Sequence, residues 1–332
     1  MKAGLGLGTY ASENIVLTSS GATTQNIACS GAVVLAVELW NGTFQAGYST
    51  LKSAFDAINK GTYKGELEVR INTNTTETAS AVLYQSGYTS VNGTSSYSSV
   101  KIYPTVDGIT VTGNLAAPLI DLDGADNVTL DGSVNGLGST KSLVIANTIA
   151  SNTAGTSTIR YINSAENNAV RYCIIKGSET NTASGIVLFS TANTGNGNDG
   201  NTIENNDITS NTTGRPINAI LSVGTVSREN SGNIILNNNI FDFWHLDGVS
   251  TAILLGANTT NITVSKNSFY ETTSLEPSGT ATYQMVMIDN ASGNNFTISD
   301  NFFGGQAQLC GGPALSVGAV NLRSNTLDLI QL

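Results

Sequence analysis

Carboxylates are the side chains with most chemistry to offer, and they stand in two groups. Asp121, Asp123, Asp126 and Asp131 fall close together in Leu-Ile-Asp-Leu-Asp-Gly-Ala-Asp-Asn-Val-Thr-Leu-Asp-Gly. On a strand Asp121 and Asp123 point the same way. A repeat places Arg160 or Tyr161 one coil further along, so acid and base would lie side by side. A glycoside hydrolase needs such a neighbourhood, with one carboxyl protonated and another ionised. The competing reading is two tight turns, for which Asp, Asn and Gly are the expected residues, and it is favoured.

The second group is Asp242, His245 and Asp247 in Phe-Asp-Phe-Trp-His-Leu-Asp-Gly. The sequence has one His, and here it lies between two acids and beside Trp244. That could be a general base with an aromatic platform for a sugar ring. The plainer reading is a long turn with Trp244 packed on the flank. The stretch Gly195-Asn196-Gly197-Asn198-Asp199-Gly200-Asn201 could wrap Ca²⁺ in oxygen ligands, but it holds a single carboxylate and reads better as a Gly/Asn turn. No other cofactor or metal is expected. Cys29, Cys173 and Cys310 match no zinc or redox spacing, and buried free thiols are expected rather than a disulfide.

These groups need a scaffold, and the sequence supplies one by repetition. An aliphatic residue, two positions, Asn, one position and a large apolar residue recur as Ile203-Asn206-Ile208, Ile235-Asn238-Ile240, Val264-Asn267-Phe269, Ile298-Asn301-Phe303 and Leu322-Asn325-Leu327. An earlier copy, Val170-Cys173-Ile175, carries Cys in the Asn place. The steps from Cys173 onward are 33, 32, 29, 34 and 24 residues. Between these copies lie short apolar runs: Ile186 to Phe189, Ala219 to Leu221, Ala252 to Leu255, Val286 to Ile288 and Ala314-Leu315, preceded by Leu119 to Leu122 and Ile159 to Ile162. Each unit thus holds at least two strands and cannot bury its own apolar face. Stacked units can, with each strand pairing in parallel about 4.8 Å from its copy in the next coil. The expected fold is all-β: a right-handed parallel β-helix. Asn206, Asn238, Asn267, Asn301 and Asn325 are expected to form a column of hydrogen-bonded amides, with Cys173 as a small buried substitute at its upstream end. Asn also tolerates the left-handed backbone of a sharp bend.

The first third differs. Thr50 to Gly61 reads as a helix over residues 50–60, with Thr50 as cap and Leu51, Ala54, Phe55 and Ile58 on one face. A solenoid has open ends that need covering, so this amphipathic helix is expected to cap the coils. The chain divides into residues 1–47, an extension or extra strands, and 48–332, the β-helix.

Composition narrows the function. The net charge is -10, with 14 scattered basic residues, which argues against nucleic-acid binding. No apolar run is long enough to insert in a membrane. No basic segment followed by an apolar run stands near Met1, so no signal peptide is expected in this sequence. Only 11% of residues are charged, and 38 are Asn. Neutral polar side chains on a large β surface suggest an extracellular or cell-surface protein.

From about Tyr48 to Phe303 the sequence resembles the right-handed parallel β-helix, or pectin-lyase-like, superfamily. The phrases LIDLDGADNVTLDG, SGIVLFSTAN, NTIENNDI and NNNIFDF resemble secreted β-helix surface proteins of the Bacteroidota type. The resemblance implies a fold that hosts lyases, hydrolases, adhesins and structural spikes. Polygalacturonase-like members carry Gly-His-Gly and Arg-Ile-Lys motifs, and neither occurs here. Pectate-lyase-like members use acidic Ca²⁺ ligands with an Arg or Lys base, and Asp121, Asp123 and Arg160 are the nearest match.

The strands Ile186 to Phe189, Ala252 to Leu255 and Met285 to Ile288 are apolar on both faces, with no charge for a sugar-cleaving groove. Their outer face is expected to be covered by a loop or by another copy of the chain. The favoured function is a non-enzymatic extracellular module with a structural, adhesive or self-assembling role, its partners being itself or an extracellular polysaccharide. The alternative is a polysaccharide lyase or glycoside hydrolase acting on acidic polysaccharide. Ice binding ranks last, since Thr110 and Thr112 give one Thr-x-Thr copy only.

Overall fold

The computed structural model describes residues 8–331 apart from 19, 22, 34, 213, 278–280, 318–319 and 322–329. Its body is a parallel β-helix of seven coils and the start of an eighth. Each coil gives one strand to each of three sheets. In the fourth coil these are Ala169–Arg171, Cys173–Gly177 and Val187–Phe189, and in the fifth Thr202–Glu204, Asp207–Ser210 and Asn218–Ser222.

Alternation fixes which residues face in. In the first sheet Ile102, Leu130, Val170, Ile203, Ile235 and Val264 stand in one register column, each at most 3% exposed. Fully burying an aliphatic side chain contributes roughly 1.5–3 kcal/mol, and the columns extend this down the rod. Rings stack in the same way: Tyr161 on Phe189 at 4.7 Å and Phe269 on Phe303 at 5.1 Å between centroids.

The amino-terminal end is covered as its helical spacing predicts. The helix is Leu51–Asn59, slightly shorter than 50–60, and buries Leu51, Ala54, Phe55 and Ile58. Thr50 Oγ1 accepts the Ser53 N–H at 3.1 Å. A second cap comes from the first coil: the Glu77 carboxylate accepts the N–H groups of Leu51 and Lys52 at 2.9 and 3.0 Å. Val37–Asn41 and Thr43–Tyr48 form an antiparallel hairpin on the edge of the first sheet, joined through Val37 to Ile71. Gly8–Leu17 and Gln25–Val33 form a separate antiparallel pair.

Two details depart from expectation. Ala314 and Leu315 are not a third-sheet strand; Ile330–Gln331 pairs with the seventh coil there instead. Of the thiols, Cys173 is buried and free, but Cys310 is free and exposed, because it sits in a tight surface turn rather than on a strand. The Cys29 side chain lies outside the described residues.

Candidate functional site

The amide column is present. The Asn206 N–H and Nδ2 both donate to Asn238 Oδ1, at 3.0 and 3.1 Å. Asn238 donates in the same way to Asn267 Oδ1, and Asn267 to Asn301 Oδ1. Each Nδ2 also reaches an aliphatic carbonyl one coil back, as from Asn238 to Ile203 O at 2.8 Å. Cys173 stands at the upstream end, its N–H on Asn206 Oδ1 at 2.9 Å. Asn325 lies outside the described residues.

The left-handed bend belongs to the residue before each rung, not to the rung: Tyr172, Asn205, Asn237, Lys266 and Asp300 have φ between 53° and 58°. The bend swings that side chain outward and the next inward, which leaves the rung's amide buried and free to bond along the axis. The same arrangement recurs where the third sheet meets the first. There Asn168, Asn201 and Asn233 form a second column, and Asn198 with Asn230 a third. Sequence reasoning missed both, although the steps from Asn168 to Asn201 and from Asn201 to Asn233 repeat the 33 and 32 of the first column.

Asp121 and Arg160 meet as their register requires. They are direct partners on adjacent third-sheet strands, and Arg160 Nε and Nη2 donate to the two carboxylate oxygens at 2.9 and 2.7 Å. Asp123 accepts from Asn163 Nδ2 at 2.6 Å, and burial pushes its carboxyl above the usual range. Asp126 accepts the Glu166 N–H, and Asp131 accepts from Arg171 and Ser133. Beyond Arg160 the same outward column continues as Leu188, Leu221, Leu254 and Met287. Leu188 and Leu221 are 3% and 2% exposed within this one chain, and Leu254 and Met287 are half-buried.

Asp242, His245 and Asp247 are not joined by any hydrogen bond. Asp242 accepts the N–H and hydroxyl of Thr272, at 2.8 and 2.9 Å. The His245 N–H donates to Ser250 Oγ, its Nε2 is buried without a partner, and Asp247 is exposed. Trp244 offers no open ring face: it is fully buried and stacks on Tyr283 at 4.5 Å. In the Gly195–Asn201 stretch, the Asn198 and Asn201 amides face inward in the columns just described and are turned away from any surface ligand. Among the described residues no group of three or more His, Cys, Asp or Glu is placed to hold a metal.

The connection from the second sheet to the third holds ionisable groups that the sequence did not single out. Glu271 is fully buried and accepts from Arg215, Phe243 N–H and Trp244 N–H, so one carboxylate ties together the connections of three coils. Burial pushes it up to about 7 against the pull of Arg215. Glu179 is fully buried with neither carboxylate oxygen paired, and burial pushes it up to about 8. Such a group is held as the neutral acid at neutral pH.

On the outside of the second sheet lies a polar groove of about 250 Å³. Its walls include Lys141, Tyr172, Asn205, Asn237, Asn239, Ser268 and Leu309. Tyr172, Asn205 and Asn237 are the outward side chains of three successive left-handed bends. Asn237 Nδ2 donates to Asn205 Oδ1 at 2.5 Å. Asp207 binds Lys141 and accepts from Asn239 Nδ2 at 2.7 Å. Beside the groove Phe241 stacks on Tyr270 at 4.9 Å.

No protein-family model matches the chain. No curated protein matches its sequence. Among solved structures, the crystal structure of PfbA, a surface adhesin of Streptococcus pneumoniae, is similar at 12% identity with a TM-score of 0.41, covering 76% of this chain and 67% of that one. A second structure of the same pneumococcal surface protein and adhesin is similar at 11% identity with a TM-score of 0.30, covering 80% and 94%. Likeness at this level carries no inference about activity, and the β-helix here stands on its own strand pairing.

Proposed function

We propose that this chain is a non-enzymatic β-helix module of the extracellular or cell-surface environment, akin to the pectin-lyase-like folds, that works as an adhesive or structural rod and contacts polysaccharide. One observation carries the reading: three of the candidate acids, Asp121, Asp131 and Asp242, have both carboxylate oxygens engaged in holding the scaffold. Asp121 is gripped at both oxygens by Arg160, Asp123 accepts from Asn163, and Asp242 accepts from Thr272. A general acid or nucleophile needs an oxygen free to meet substrate. The low charge and the neutral amide-rich surface fit a protein that touches neutral polymers rather than charged ones.

The test incubates the full chain with neutral and acidic polysaccharides, with and without Ca²⁺. Retention on immobilised glycan, with no unsaturated or reducing-end product released, is the expected outcome. Product that forms with the native chain and vanishes in Asp121→Asn or Asp242→Asn would overturn the reading in favour of a lyase or hydrolase.

A further inference from the structure

We propose that the groove on the outer face of the second sheet binds an uncharged oligosaccharide, with Tyr172, Asn205, Asn237 and Asn239 as its polar contacts and Leu309 as its apolar rim. The proposal rests on the polysaccharide-contact reading and adds the site and the class of sugar.

The electrostatics select a neutral ligand. Lys141 is the charged residue of the lining, and its ammonium is already paired with Asp207. An acidic sugar would have to compete with that carboxylate.

The hydrogen-bonding groups select a polyol. The Asn205 Nδ2, Asn237 Oδ1, Asn239 Oδ1 and Tyr172 hydroxyl have no partner among the described residues, while the other polar atom of each amide holds it in place. That leaves donors and acceptors side by side, as a sugar hydroxyl, which both gives and takes a hydrogen bond, requires. Coil spacing sets the Asn205 and Asn237 amides about 4.8 Å apart along the axis. A fixed spacing suits a ligand with a repeat of its own.

The rim adds an independent observation. Leu309 and Cys310 hold φ of 57° and 56°, although neither is glycine. A bulky residue there costs on the order of 1–2 kcal/mol, and such strain concentrates at binding sites. The Leu309 N–H is anchored on Ser268 Oγ at 2.9 Å, and its side chain is left 58% exposed over the groove. An exposed leucine beside planar amides offers the mixed surface that suits the C–H face of a pyranose.

The experiment measures binding of the full chain by calorimetry. The neutral probes are gluco-, manno- and galacto-hexasaccharides, and oligogalacturonate is the acidic one. Tyr172→Asn and Asn237→Gly are compared with the native chain; both substitutes accept the left-handed bend, and unfolding midpoints are recorded alongside. At least one neutral probe is expected to bind, with at least tenfold weaker binding in each variant at an unchanged midpoint. Undiminished neutral-probe binding in both variants would move the site elsewhere and leave the polysaccharide reading standing. Binding of oligogalacturonate alone would overturn the neutral class. Binding of no probe overturns this proposal, whereas the broader reading fails only if the polysaccharides of the retention test are also not held.

Discussion

From the fourth coil onward, the chain passes from the first sheet to the second by one left-handed residue and one inward residue. From the second sheet to the third, the connection in the first seven coils ranges from three residues, 78–80, to eleven, 271–281. The short corner solves its hydrogen bonding once and repeats the answer: an amide has a donor for one neighbour and an acceptor for the other, so Asn stacks on Asn without charge. The long connections bury whatever their length imposes, and they do it with single acids, Glu271 on Arg215 and two N–H groups and Glu179 on nothing; Glu77, at the strand end before the shortest connection, does the same for a helix start. Repetition makes one corner indifferent to pH, and irregularity makes the other sensitive to it.

The contrast can be broken most forcefully in the middle of the amide column. Asn238→Leu removes the oxygen that accepts two bonds from Asn206 and the Nδ2 that donates to Asn267 Oδ1 and Ile203 O, all buried, and keeps only the backbone N–H on Asn267. A loss of roughly 4 kcal/mol is expected in urea unfolding, because several polar groups are stranded at once. A cost near that of a surface substitution would mean the column is ornamental.

Next comes pH. Glu179 holds its proton up to about 8 when folded, against 4.5 for the free side chain. Its stabilising contribution is therefore full below about pH 4.5 and is lost as pH rises through about 8. The difference in unfolding free energy between native chain and Glu179→Gln should fall by on the order of 4 kcal/mol across that window. A flat difference from pH 5 to 9 contradicts the burial of an unpaired carboxyl. Glu77→Leu strands two N–H groups at the helix start and should cost about 2 kcal/mol, read from the thermal midpoint.

The smallest effect has the opposite sign. Lys266 occupies a left-handed bend where Asn205 and Asn237 stand in other coils. Lys266→Asn should gain about 0.5 kcal/mol. A loss there would show that the Lys side chain, not the bend, governs the position.

The winding and the first amide column were legible in the sequence because periodicity survives translation into space: a fixed step along the chain becomes a fixed place on the coil. The same logic placed Arg160 or Tyr161 beside the Asp121 strand, and the register makes Arg160 the partner of Asp121 and sets Tyr161 against Leu122. Other features were out of reach for physical reasons. The φ of the bend was assigned to Asn206 and its equivalents, but a sharp corner needs two residues with different duties, and composition does not separate them. Trp244 suggested a platform, yet it is fully buried, and Tyr283, on the third-sheet strand of the next coil, stacks on its ring. Of the three strands expected to be covered on their outer side, the one with Leu188 is covered by this chain alone, whereas Leu254 and Met287 on the other two stay half-buried. The groove escaped notice because its walls come from residues as far apart as Lys141 and Leu309, which no motif joins.

Sheet bonds and amide rungs alike run from one coil to the next, lengthwise to the rod. Tension applied between the two ends of such a molecule falls on the outermost coil before it reaches any other. The rod therefore yields stepwise, releasing a loop of about 30 residues each time, in the manner of a one-dimensional array. A tether of this kind absorbs repeated tugs without failing all at once, and under an optical trap it should give a sawtooth rather than a single rupture.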